Sequence, residues 1–302
     1  MSFDSFFSTS LCYGASGPDT GWTLTLPIIF PLAATASLYV VGSARLWQRS
    51  GRSRPLRFRQ ALLFAAGWVA LMAALVSPLH ALGERLFTAH MIEHELLMAV
   101  AAPLIVASYP GAPMIRALPK RLRRALRVAS HLRMLGGIWA CASRPMVATI
   151  LHGVAIWAWH VPPLFGAALH QGLWHYAQHA SFVGTGLLFW WALLPRPGRV
   201  YACGNAVMHL FLTSLHTGLL GALLVVSPRL WYPENAIGST FWGLAPLEDQ
   251  QLAGLVMWIP AGLIYGGVAL FLVSLWIRAS GRGQTPLRVI EIGVGDSMDV
   301  SP

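Results

Sequence analysis

Seven stretches of this chain run for roughly twenty residues with almost no charge, the length at which an α-helix covers the hydrocarbon core of a bilayer, about 30 Å thick. They are Trp22 to Ala44, Ala61 to Leu82, Leu86 to Tyr109, Met146 to Phe165, Leu173 to Leu194, Ala206 to Val226 and Leu252 to Ile277. In lipid every backbone N–H and C=O must find its partner inside the protein, so each stretch is expected as a helix. Composition agrees: 56% of residues are hydrophobic and 11% charged, against roughly a quarter charged in soluble proteins. The expected fold is all-α, a polytopic membrane protein built as one seven-transmembrane helix bundle over residues 1–302.

The net charge of +10 does not imply a nucleic-acid partner, because the basic residues sort by loop. Six Arg follow the first span (45, 49, 52, 54, 57 and 59), eight Lys or Arg lie between the third and fourth (116 to 144), two follow the fifth (196 and 199) and three the seventh (278, 282 and 288). Only Arg85 and Arg229 fall on the other side. By the positive-inside rule the N-terminus is outside and the C-terminus cytoplasmic. Residues 119–135, "PKRLRRALRVASHLRML", place Leu122, Leu126, Ala129 and Leu132 opposite Arg123, Arg124 and Arg127, the pattern of an inner interfacial helix held by anionic lipid headgroups. No cleavable signal peptide is visible in the first twenty residues, which carry Asp4 and Asp19. The tail after Ser280 is short, Gly-rich and expected to be loose. The cysteines, Cys12, Cys141 and Cys203, are dispersed, which leaves no thiol redox pair.

The segment "HMIEHELLM", residues 90–98, sits against this background. Without residues 86–95 the third span is too short to cross, so His90, Glu93, His94 and Glu95 belong to its outer half. Ionisable groups there cost about 2.5 to 3.5 kcal/mol each and usually mark function. At 100° per residue His90 and His94 share one face, with Met91 and Met98 close by and Glu93 flanking His90. The fifth span repeats the spacing in "HYAQHASF", with His175 and His179. His160 in "WAWHVPPLF" ends the fourth span, His80 ends the second, and His170 lies in the outer loop before the fifth. His152 and His216 fall near mid-depth, and His209 lies further in with Thr213 between.

Imidazole suits Cu, Zn, Fe and Ni, and thioether sulfur favours monovalent copper, so a copper ion is the expected cargo. "HMIEH" also matches the H-x-x-E-H pattern of a zinc protease class in which Glu93 would be the general base. A five-residue match is weak beside a plain second-shell role for Glu93, and no catalytic residue is expected. Two other readings stay open: a copper or proton transporter using the graded histidines, and a haem protein using histidines as axial ligands.

"HMIEHELLMAVAAPLIV", "AIWAWHVPPLFGAAL", "LHQGLWHYAQHASFVGTGLLFWWALL", "FLTSLHTGLLGALLVVSPRLWYP" and "WGLAPLEDQQLAGLVMWIPAG" together resemble the multi-pass bacterial CtaG family of cytochrome c oxidase assembly factors. The resemblance implies a protein of the bacterial plasma membrane that matures a haem-copper oxidase, with oxidase subunits or another copper chaperone as partners. It points to His90, His94, His160, His175, His179 and His216 as metal ligands, with His152, Met91, Met98 and Glu93 as secondary candidates. Where the family pattern is expected to read "HMxQH", this chain carries Glu93, which leaves that site acidic. "PLEDQQ" has two readings: Glu248 and Asp249 complement the dipole of the seventh helix, or Glu248, Asp249 and Gln250 orient the outer imidazoles.

Overall fold

The computed structural model describes residues 21–48, 54–131, 133–194, 203–233 and 239–280, and among them no strand occurs. Cys12, the tail after Ser280, Leu132 and the arginines at 49, 52, 196, 199, 282 and 288 lie outside the described residues. The first span is helix α1, Leu26–Trp47, and the second is α2, Arg54–Leu75. Five helices are long and apolar enough to cross a membrane, and a sixth is added if one bent pair is a single span. Phe30, Val40, Val69, Val154, Leu215, Leu263 and Leu270 are each more than half exposed. Large apolar side chains on the outer faces of long helices are what a lipid surface selects.

Two expected spans are broken. The second does not run from Ala61 to Leu82: α2 stops at Leu75 and a short helix α3, Pro78–Gly83, restarts after Ser77, whose side chain accepts the Leu79 N–H. Pro78 has no N–H to give and disfavours helical backbone in the residue before it. The fourth is likewise not one helix over Met146 to Phe165. α8, Pro145–Trp159, and α9, Pro162–His170, are bent by 76°, with Val161 extended ahead of Pro162.

The third span, α4, Phe87–Ala107, is π-helical over Leu96–Ala101. The loosened ladder leaves the Met98 carbonyl to accept the Trp190 indole N–H at 2.8 Å, as helix irregularities do when a side chain re-satisfies the backbone. After α4 come α5, Gly111–Ala117, and then α6, Lys120–His131, and α7, Arg133–Ala142. Leu122 and Leu126 on α6, two residues of the apolar stripe predicted there, are exposed.

α10, Gly172–Leu193, has 22 residues, about 33 Å at ~1.5 Å per residue. It falls outside the set of apolar spans on composition rather than length, because its first half carries His175, Gln178 and His179. The last two long helices among the described residues are α11, Cys203–Val226, and α12, Pro246–Ser280. At 35 residues, α12 is longer than the Leu252 to Ile277 predicted, and its N-terminal turn holds Glu248, Asp249 and Gln250.

The largest helix interface pairs α11 with α12, and two glycines make it possible. A Cβ on Gly221 would lie 2.7 Å from the Gly254 carbonyl oxygen, and one on Gly254 would lie 2.6 Å from that of Gly221. Backbones approach this closely only where neither residue has a side chain, the small-residue crossing familiar in membranes. Gly254→Val should therefore force the helices apart at a loss of at least about 1 to 3 kcal/mol. A lower melting temperature of the purified protein in detergent checks it, and an unchanged one contradicts the crossing.

Candidate metal centre

One helical turn separates His90 from His94 on α4, and their ring centroids are 4.2 Å apart. The same spacing on α10 puts His175 and His179 at 4.3 Å. The two helices face each other with these pairs inward: His94 to His179 is 5.6 Å, His90 to His175 6.2 Å and His90 to His179 6.3 Å. His160, in the corner between α8 and α9, lies 6.5 Å from His94. From α3, His80 reaches His175 at 5.1 Å and His179 at 5.6 Å. Six imidazoles thus form one connected group, and none of these residues is more than 6% exposed.

Five of the predicted ligands, His90, His94, His160, His175 and His179, are in this group. His80 is the member that sequence reasoning left out. Among the described residues the ligand atoms that lie within 4.8 Å of one another belong to His80, His175 and His179. A lone histidine behind Ser77 and Pro78 has no partner at helical spacing, and the one hint of its role was the need of Glu93 for a buried partner.

Glu93 is wholly buried and turns to neither His90 nor His94. His80 Nδ1–H donates to Glu93 Oε1 at 2.7 Å, and the same oxygen lies 3.4 Å from His179 Nε2. A Cβ on Gly83 would stand 3.0 Å from Glu93 Oε2 and 3.2 Å from His90 Cα, so glycine there lets α3 lie close against the carboxylate. The imidazole held by a carboxylate presents its other nitrogen outward, the arrangement that orients metal-binding histidines. With Nδ1–H given to Glu93, Nε2 of His80 carries a proton only when the ring is charged. A metal ion at Nε2 would displace that proton. With Glu93 engaged at His80 and His179, the protease reading, which needs it free as a base beside His90 and His94, loses its geometry.

His160 is fixed in the same manner. Its Nδ1–H donates to the Ile156 carbonyl at 2.7 Å, and its own carbonyl accepts the Tyr232 hydroxyl at 2.7 Å, leaving Nε2 as the electron-pair donor. That atom has no hydrogen-bond partner among the described residues. Neither do the Nε2 atoms of His175 and His179, both ring nitrogens of His90 and His94, or either end of the Gln178 amide. Buried polar atoms are nearly always partnered, and each orphan costs about 1 to 3 kcal/mol. Seven imidazole nitrogens without a hydrogen bond, one of them His179 Nε2 with only its 3.4 Å contact to Glu93, make a donor set that a transition-metal ion fits.

The remaining candidates lie elsewhere. Met91 and Met98 are buried in the core with Phe87, Phe165 and Phe182. His152 donates through Nδ1 to Thr185 Oγ1 at 3.1 Å, and its ring stacks on Phe189. His216 accepts the Trp157 indole N–H at 3.3 Å and is not among the six clustered rings. His209 donates to Thr149 Oγ1 at 3.1 Å. His179 also forms part of the wall of a largely apolar cavity of about 840 Å³ lined mainly by α1, α2, α4 and α10.

"PLEDQQ" acts on the cluster through the backbone. The Asp249 carboxylate accepts the N–H groups of Phe87 and Thr88 at 2.8 and 2.9 Å and the Thr88 hydroxyl at 2.6 Å, so it caps the helix that carries His90 and His94. Gln250 accepts the Trp231 N–H at 2.7 Å and donates to the Arg229 carbonyl at 3.1 Å, holding the strap that brings Tyr232 to His160. Glu248 accepts the Ala245 N–H at 2.8 Å. Of the two readings offered, Glu248 follows the first; Asp249 and Gln250 position the site at one remove.

Comparison with known proteins adds a family. The model of the cytochrome c oxidase caa3 assembly factor family, Caa3_CtaG, matches residues 37–279. Uncharacterized proteins of Mycobacterium bovis and Mycobacterium tuberculosis are each 26% identical over 261 residues, which cover 81% of this chain and 37% of the relative. One of Mycobacterium leprae is 24% identical over 257 residues, covering 81% and 38%. The chain thus spans less than two-fifths of the length of these relatives. No solved structure matches.

Replacing Asp249 by Asn keeps the shape but turns one of two accepting oxygens into an NH2 donor and leaves the other neutral, so of three hydrogen bonds, each worth about 1.5 to 3 kcal/mol to a charged acceptor, at least one is lost and the rest are weakened. Asp249→Asn is expected to lose at least about 2 kcal/mol of stability, read as a shifted unfolding transition. Stability equal to the parent would show that the cap is dispensable.

Proposed function

Because the chain belongs to the family of cytochrome c oxidase caa3 assembly factors, we propose that it serves oxidase maturation by holding copper in the histidine cluster and passing it to a membrane-embedded oxidase subunit or another copper chaperone. The role is one of binding and delivery, not catalysis. In this reading α10 crosses the bilayer together with the bent pair α8–α9, giving seven spans with the N-terminus outside and the C-terminus cytoplasmic. The cluster then faces the extracytoplasmic side of a bacterial plasma membrane.

The observation that carries the reading is the set of unpartnered, buried imidazole nitrogens on α4, α10 and the α8–α9 corner. A chain that merely needed to cross lipid would have apolar residues there, since each orphan is destabilising. Imidazole nitrogens with no thiolate among them leave copper and zinc as the natural cations, and the maturation of a haem-copper oxidase selects copper. Delivery also requires release, which suits neutral imidazoles better than a closed thiolate cage.

A transport role would use the deeper groups, His152 Nε2 and Thr213 Oγ1, which are buried and unpartnered as well. Copper uptake into proteoliposomes would favour it over delivery within the membrane.

Purified protein is expected to retain copper, and His90→Ala and His175→Ala to lower the copper content by half or more in elemental analysis; equal copper in all three would remove the proposal. Glu93→Gln should keep the hydrogen bond to His80, and with it the fold, while losing the charge. Copper affinity should drop about 10- to 100-fold, the range seen when a group behind a metal ligand is changed. An unaltered affinity in a chelator competition would rule out a role for the carboxylate.

A further inference from the structure

We infer that the cluster contains two metal sites rather than one, and that the second of them, His90, His94 and His160, accepts copper only in its monovalent state. This rests on the copper reading above and extends it. Six imidazoles exceed what one ion takes, since transition metals bound by protein nitrogen commonly hold four ligands or fewer. The six divide by their surroundings.

His80, His175 and His179 already bring their donor atoms within 4.8 Å of one another and share the buried carboxylate of Glu93. His90, His94 and His160 have no hydrogen bond or ion pair to any carboxylate among the described residues. Aromatic rings enclose them instead: Phe165 stands edge-on to His90 at 5.2 Å and Phe182 to His94 at 4.6 Å. His160 is held by Ile156 with Nε2 free; His94 is bonded at neither nitrogen, His90 has only the Gly83 backbone beside its ring, and both would turn to bring their donor atoms to a shared ion.

Charge separates the two sites. The energy of moving an ion out of water rises with the square of its charge, so a divalent ion among neutral ligands is about fourfold harder to bury than a monovalent one. Among His90, His94 and His160 the ligands bring no compensating charge, which monovalent copper tolerates best. At His80, His175 and His179 the carboxylate of Glu93 neutralises one positive charge, and either oxidation state is admissible.

The test is a titration of the full-length protein with monovalent copper under anaerobic conditions, in competition with a colorimetric chelator. Two equivalents are expected for the parent, one for His94→Phe, one for His175→Ala and none for the double variant. With divalent copper, electron paramagnetic resonance should show one bound ion in the parent and in His94→Phe, and none in His175→Ala. His94→Phe keeps an aromatic ring, somewhat larger than imidazole, and removes two orphaned nitrogens; if its copper-free form loses its helical circular dichroism, His160→Gln takes its place. A parent that binds one equivalent, lost on changing either set, overturns the two-site inference and leaves the copper reading intact. Two divalent ions in the parent overturn the monovalent selectivity. A parent that binds no copper ends both.

Discussion

Asp249 holds the arrangement together. Its carboxylate comes from the first turn of α12 and closes the N-terminus of α4, so the longest helix of the chain fixes both the height and the rotation of the helix that carries His90, His94 and Glu93. A helix end leaves N–H groups without partners, and in an apolar environment they must be met by something placed there for the purpose. The neighbouring Gln250 meets the backbone at Arg229 and Trp231, and through that strap Tyr232 reaches His160. Two adjacent residues of one turn therefore set the positions of two parts of the cluster. Neither touches an imidazole.

The contrast within the bundle is between polar groups that are partnered and polar groups that are not. His209 with Thr149, Trp159 with Ser181 and Trp190 with Met98 show how this chain satisfies a buried donor when nothing else is required of it. Each sits among apolar neighbours and each finds an acceptor within hydrogen-bond distance. The ring nitrogens of His90 and His94 have no such partner within hydrogen-bond geometry. Imidazoles left bare at two nitrogens inside such a chain are destabilising, and a ligand that pairs with them supplies the missing free energy.

Much of this was readable before any coordinates. The pairs His90/His94 and His175/His179 repeat at four residues, a spacing that aligns side chains on any α-helix, and their location in apolar spans carries the inference of a shared site. His80 was not readable as a ligand, because its approach to His175 and His179 depends on how α3 folds back over α4, a contact between segments far apart in the chain. Glu93 was read as a group behind the metal ligands. The histidines it serves, His80 and His179, follow from the same fold-back and not from its own helix. Asp249 was read as a charge in the first turn of the seventh helix, where it stands, but that its carboxylate also closes the N-terminus of α4 depends on the tertiary fold and could not be read. The breaks were foreshadowed by Pro78 and by Pro162 and Pro163, yet a continuous apolar run hides a bend, since lipid rewards hydropathy over a length and is indifferent to direction.

Those breaks are where the site is made. The cluster lies beside three departures from regular helix: the restart at Ser77 and Pro78, the 76° corner that holds His160, and the π-helical turns after Glu95. Irregular backbone at membrane depth is tolerated only where protein rather than lipid surrounds it, and here the surrounding protein is the cluster and its aromatic walls. Straight helices would also have placed the rings differently. An α2 continued through His80 would carry that ring onward along the helix axis instead of back over α4, and an α8 continued past Trp159 would leave the His160 carbonyl in the helical ladder, unavailable to Tyr232. The prolines that interrupt the spans are thus as much part of the candidate site as the histidines, because they set the directions from which the imidazoles converge.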